Sequence, residues 1–278
     1  MKCRRSLFRH HIVFYLVTVL TALVLKLHYS RASPVDLGWI LGPTADLVSL
    51  MTGETFAFEA GCGYVCAARG VIIAPACAGV NFMLMAFGMA AFTGLRHLRR
   101  RRQALVWLAF SLSAAYILTL GVNAMRVAAS LLTLEKVIPG RGMSWERAHL
   151  LEGVVIYFFF QYLFYSMILK MITRLTARQP AQALAPLPGR REWKGHAAKI
   201  VMIGAVPCAW YLGGTVVVPF LNNAAGKFGG RFFDHAAMVS GLCLTTWLCL
   251  AVVQYCGRRA GLIFKGGLGK HETEGPDR

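Results

Sequence analysis

Cys77, Arg126 and His149 carry side chains that together could open an amide bond. A thiol is a useful nucleophile only as a thiolate, and a neighbouring imidazole can take its proton. The thiolate can attack a carbonyl carbon, and the imidazolium can return the proton to the departing amine. A guanidinium stays charged at any working pH and can face either the thiolate or the developing oxyanion. The residues stand 49 and 23 positions apart, so the chain must fold back to bring them together.

Each has a plainer role. An apolar-flanked cysteine is most often a small packing residue. An arginine near a helix end usually snorkels toward headgroups. A histidine at a helix start is most often an interfacial polar residue, and His28 and His235 are read in that way. Glu146 and Glu152 flank His149 and could orient its ring or simply be solvated.

What must position these residues is set by composition. Of the 278 residues 56% are hydrophobic and only 15% charged, with a mean hydropathy of +0.53. Several apolar runs reach about 17 to 25 residues, enough to cross ~30 Å of hydrocarbon as helix. The expected fold is an all-α polytopic integral membrane protein of about six transmembrane helices. The spans are placed at Ile12–Tyr29, Gly79–Leu95, Ala104–Val122, His149–Met171, Ala197–Phe220 and Asp234–Cys256. The opening "KCRRSLFRHH" is like the basic region of a signal peptide, but no small-residue cleavage site follows. It is read as leading into a retained first helix.

Between the first two spans lie two shorter elements. Residues 34–53 are interrupted by Asp36, Pro43 and Asp46, which suits a re-entrant or interfacial helix. The following Gly-rich stretch, with Phe56, Phe58 and the run Val71 to Ile73, suggests a small irregular or β-hairpin element outside the bilayer. Residues 123–138 are apolar enough to extend the third span or to dip back into the membrane. The cysteines add little: Cys208, Cys243, Cys249 and Cys256 fall in or beside spans, and Cys3 lies in the leader. Cys62 and Cys66 could pair if a turn brings their Cα atoms within about 7 Å. A metal held by these two and Cys77 is a poor match to zinc-ligand spacing, with no histidine in the same loop.

Charge sets the expected orientation. With both termini inside, the segments 1–11, 96–103, 172–197 and 257–278 hold 19 Lys and Arg, against 8 in the outside segments 30–78, 123–148 and 221–233. That is the positive-inside bias, strongest in "RHLRRRR" at 96–102. It also accounts for the net charge of +18 without nucleic acid. Cys77, Arg126 and His149 then all fall at the outer membrane face. The chain divides into a cytoplasmic leader 1–11, a membrane-embedded domain 12–256 and a cytoplasmic tail 257–278.

The segments "CAGVNF" at 77–82 and "NAMR" at 123–126, with His149 opening the next helix, resemble the exosortase/archaeosortase family of membrane cysteine transpeptidases. The context "IIAPACAGVNF" looks most like the exosortase K branch. The resemblance spans roughly residues 55 to 170, and Ala78 stands where many members have serine. It implies Cys77 as nucleophile, Arg126 as electrostatic stabiliser and His149 as base and acid, with Gly79, Asn81 and Asn123 in support. It further implies a site on the outer face of the cytoplasmic membrane. The substrates would be membrane-tethered proteins with a C-terminal sorting signal, cut through a Cys77 thioester and passed to an unidentified acceptor. The chemistry requires no cofactor.

Two other readings remain open at this point. A thiol-dependent membrane acyltransferase would use Cys77 and His149 equally well, and would leave the acceptor's backbone intact. A non-enzymatic scaffold or assembly factor would keep its function in Cys77→Ala. A transporter fits less well, because ionisable residues are sparse inside the spans.

Overall fold

The computed structural model describes residues 2–98, 100–134, 145–177, 196–222, 226 and 229–268. Within these, six helices are long and apolar enough to cross a membrane. The chain is a multi-pass membrane protein. Its helices are α1 (Lys2–Arg31), α2 (Gly38–Thr52), α3 (Val80–Leu95), α4 (Arg101–Leu134), α5 (Trp145–Ala177), α6 (His196–Leu212), α7 (Val218–Leu221) and α8 (Gly230–Leu268). A π-turn over Gly213–Val217 joins α6 to α7, so that these form one continuous span with Gly204 to Leu221.

Burial ranks the helices. In the apolar stretch of α3, 67% of residues are buried inside the protein, against 11% in α1. α3 is therefore the central helix, and the row Val13, Leu16, Val17, Leu20 and Val24 of α1 is left for lipid. Small residues allow the close approach that helix association in lipid depends on. Gly88 lies against the Trp210 ring, and Gly94 leaves room for the indole of Trp107, which donates to Ala90 O at 3.1 Å.

The segment at 34–53 is a helix, as its sequence suggests. Pro43 lies inside α2 and offers no N–H, so the carbonyl four residues back, on Trp39, lacks its usual donor. Tyr116 of α4 supplies one, its hydroxyl donating to Trp39 O at 2.7 Å. The broken helix is thereby satisfied and pinned to α4. Beyond it, β1 (Ala57–Glu59), β2 (Gly63–Cys66) and β3 (Val71–Ile73) form a three-stranded antiparallel sheet in the order β1-β2-β3. Phe58 stands opposite Tyr64 and Val65 opposite Ile72. The Tyr64 hydroxyl lies over Gly42, seating the sheet on α2.

Several helices run past the ends of the expected spans, and two choices left open by the sequence are settled. Of the two readings of 123–138, extension of the third span is the one seen: "NAMRVAASLLTL", rich in Ala and Leu, continues α4 as helix to Leu134. α5 starts at Trp145, one turn before His149, and α8 runs past Cys256 to Leu268. Cys62 and Cys66 are both free thiols. Cys62 sits exposed in the β1–β2 turn, whereas Cys66 is buried opposite Val71 with its Sγ 3.9 Å from Glu54 Oε2. The linker 178–195, the side chain of Glu146 and the tail from 269 lie outside the described residues.

Candidate functional site

The loop before α3 is built to hold Cys77 still. Pro75 to Cys77 make one 3-10 turn, closed by Cys77 N–H donating to Ala74 O at 2.8 Å and Ala78 N–H to Pro75 O at 3.1 Å. Gly79 then takes φ +71°, a left-handed value costly for residues with a Cβ, and starts α3. A Cβ at Gly79 would also press on Thr119 at 3.1 Å and Asn123 at 3.3 Å. Gly79 is thus where the Cys77 turn packs onto α4.

On α4, Thr119, Asn123, Arg126 and Ser130 follow one another at spacings of four, three and four, which puts them on one face. On α5, His149, Gly153 and Tyr157 do the same at spacings of four. The two faces meet. Arg126 Nη2 donates to His149 Nε2 at 3.0 Å, and Arg126 Nη1 donates to the Tyr157 hydroxyl at 3.1 Å. The Tyr157 hydroxyl donates to Asn123 Oδ1 at 2.8 Å, and Asn123 Nδ2 donates to the Cys77 carbonyl at 2.6 Å. One directed chain of hydrogen bonds therefore runs from the guanidinium to the backbone of Cys77.

Arg126 is fixed on its other sides as well. Its guanidinium lies 5.2 Å from the centre of the Tyr157 ring, which stacks on Phe82 at 4.7 Å. Its buried Nε faces Gly153, where a Cβ would come within 2.8 Å. Glycine at 153 is what lets α5 pass this close to the cation. The half-buried Cys77 is within electrostatic range of Arg126.

His149 lies just before the apolar stretch of α5. Burial first, and then the Arg126 charge, hold its imidazole below the ordinary histidine range. At neutral pH it is therefore an uncharged base. Its second nitrogen, Nδ1, lies 2.7 Å from Ser130 Oγ, and Ser130 Oγ also reaches Glu152 Oε2 at 3.2 Å.

A cavity of about 210 Å³ opens beside this cluster. Ala76 and Gly79 border it on the Cys77 side, with Arg126, Tyr157, Tyr211 and His235 among its other walls. The structure thus brings Arg126 and His149 into contact and joins both to the Cys77 turn through Tyr157 and Asn123. Gly79 and Asn123 have clear positioning roles. Asn81 stands apart: exposed at the cavity wall, it accepts from Lys26 Nζ of α1 at 2.6 Å. Arg126 lies within α4 rather than just beyond its end.

Sequence reasoning passed over Tyr157, Ser130 and Lys26, and read His235 as merely interfacial. The helical spacing on α4 and α5 was a signal for the first two, since polar residues repeat every three or four positions on otherwise apolar helices. Among the described residues no group of His, Cys, Asp or Glu has the arrangement of a metal site.

The fold and cluster define a polytopic membrane protein with a half-buried guanidinium–imidazole pair beside a cysteine turn. Comparison with protein-family models, with curated proteins and with solved structures returns no match for this chain.

Proposed function

We propose that this protein is a membrane cysteine peptidase or transpeptidase of the exosortase/archaeosortase kind. It cleaves the C-terminal sorting tail of exported, membrane-tethered proteins and transfers the product to an acceptor. Its site faces the extracytoplasmic side of the cytoplasmic membrane, with both termini inside. The observation that carries this reading is the directed chain from the Arg126–His149 pair through Tyr157 and Asn123 to the Cys77 carbonyl. The chain sets the Cys77 turn, through its backbone carbonyl, against a half-buried cation.

The chemistry follows from the chain's own residues. The Cys77 Sγ–H proton passes to His149 Nε2, and the Arg126 N–H that held Nε2 turns to the new thiolate. Sγ attacks the scissile carbonyl carbon, and the negative oxygen that develops faces the guanidinium. As the C–N bond breaks, the imidazolium returns its proton to the leaving amine, which stays with the substrate's membrane helix. The thioester on Cys77 is then opened by the acceptor, whose proton passes to His149. A turn at the lip of α3 suits this reaction, because a tethered substrate presents its cleavable bond just outside its own helix.

The test is labelling of Cys77 in intact cells with a membrane-impermeant thiol reagent. All other cysteines are replaced by serine, and pH is varied with and without His149→Ala. The expected result is rapid labelling that persists below neutral pH and weakens in the His149 variant. Failure of folded protein to label at any pH would sink the proposal.

A further inference from the structure

The hydrogen bonds around His149 leave little freedom in where its protons sit. A guanidinium has donors only, so the 3.0 Å contact from Arg126 Nη2 makes His149 Nε2 the acceptor, carrying a lone pair. In the neutral imidazole the single proton is then on Nδ1. Ser130 Oγ, 2.7 Å away, accepts it. Ser130 has one proton of its own, with the Arg126 carbonyl at 2.9 Å and Glu152 Oε2 at 3.2 Å both in reach. Ser130 is buried, and it bridges α4 to two residues of α5.

We propose that Ser130 is a positioning residue that anchors the Nδ1–H of His149, in the tautomer Arg126 sets, and that Glu152 is the acceptor that steadies the ring, through Ser130, when it becomes charged. This rests on reading His149 as the base for Cys77. The anchor keeps Nδ1 on Ser130 while Nε2 meets the guanidinium. When Nε2 takes the thiol proton, Nδ1–H stays on Ser130 Oγ, and the Ser130 proton turns from the Arg126 carbonyl to Glu152. No further proton leaves the group. The carboxylate offsets the imidazolium charge across one hydroxyl. The charged or titratable groups facing this arrangement are Arg126 on α4, Glu152 and Tyr157 on α5, and Cys77 in its turn, with Tyr211 of α6 beyond Arg126.

The test reads the tautomer directly. The full chain, labelled with ¹⁵N-histidine and held in lipid nanodiscs, is studied by NMR, and the His149 signals are assigned by their loss in His149→Gln. The neutral ring is expected to show a protonated Nδ1 and a bare Nε2. Ser130→Ala should leave the tautomer that Arg126 sets but move the His149 titration to lower pH, and alkylation of Cys77 by a neutral maleimide at pH 7 should slow about tenfold, the loss of one hydrogen bond to a charged group. Ser130→Thr should restore both, which separates loss of the hydroxyl from loss of fold. Glu152→Gln should keep the tautomer and move the His149 titration to lower pH, because the charged ring loses its partner. A protonated Nε2 in the wild type would overturn the inference, as would an unchanged His149 titration in Ser130→Ala. Alkylation indifferent to His149→Gln would instead overturn the reading of His149 as base, and the tautomer result would still be decided by NMR alone.

Discussion

Arg126 combines a charge with a shape, and the two can be separated. Its Nη1 and Nη2 hold Tyr157 and His149 in directions set by a planar fork, and its face rests on the Tyr157 ring. A lysine ammonium is a point charge on a flexible stem and cannot make both bonds in that plane. Arg126→Lys is expected to lower Cys77-dependent cleavage by about 100-fold, as for loss of a catalytic donor, with little change in His149 titration. Arg126→Gln removes the charge, so the His149 midpoint should rise. It should still stay below the ordinary value, because burial is the larger cause of its displacement. The sign for stability follows. A histidine whose folded pKa is lowered leaves the unfolded chain to bind protons first, so stability is full above about pH 6.5 and falls as pH drops from there toward the folded midpoint. Histidine-resolved NMR titration of the three proteins, with thermal unfolding at pH 7 and pH 5, checks both statements. A lysine variant with full activity would remove the geometric role given to Arg126.

At the scale of elements, two glycines decide whether the parts of the site meet. Gly79 holds the Cys77 turn against α4 with φ +71°. Gly79→Ala is expected to cost about 1–2 kcal/mol from the left-handed backbone alone, and to lower cleavage further by shifting Cys77 away from Asn123. Thermal unfolding alongside the Cys77 alkylation rate separates the two effects, and an alanine variant with wild-type stability would show that the turn can re-form elsewhere in φ. These contacts explain what could be read in the sequence. The six apolar spans, the interrupted helix at 34–53 and the strand-forming stretch before Pro75 each carry a local signal, and each is seen. Arg126 and His149 were also legible, because charge in the loops placed both near one face. The end of α4 was legible only as a choice, an extension through 123–138 or a dip back into the membrane. A polar pair, Asn123 and Arg126, looks like a helix end when only hydropathy is counted, yet both are helical and partnered by α5. Tyr157 and Ser130 gain their meaning only from a neighbouring helix, and Pro43 is satisfied by Tyr116, 73 positions away.

For the whole molecule, the distribution of charge makes a claim that two native cysteines can judge. The expected arrangement, with 19 Lys and Arg inside against 8 outside, puts the β-sheet and the Cys77 turn on the outer face and the far end of α8 in the cytoplasm. Arg126 counts among the 8 but lies half-buried within α4 rather than in a loop, so removing it only sharpens the bias. Cys62 is exposed in the β1–β2 turn, and Cys256 is exposed near the other end of the protein's last span. Each can serve as the single thiol in a chain whose other cysteines are serine. In intact cells an impermeant maleimide should modify the Cys62 protein and spare the Cys256 protein, and permeabilised cells should show both modified. The reverse pattern would place Cys77 on the cytoplasmic side, where exported substrates no longer present their tails, and the proposed reaction would fail on geometry even with its residues in contact. Moving charge tests the cause: replacing Arg100, Arg101 and Arg102 with glutamine should loosen the expected preference and give a mixed labelling pattern, because that segment carries the densest basic cluster of those expected inside.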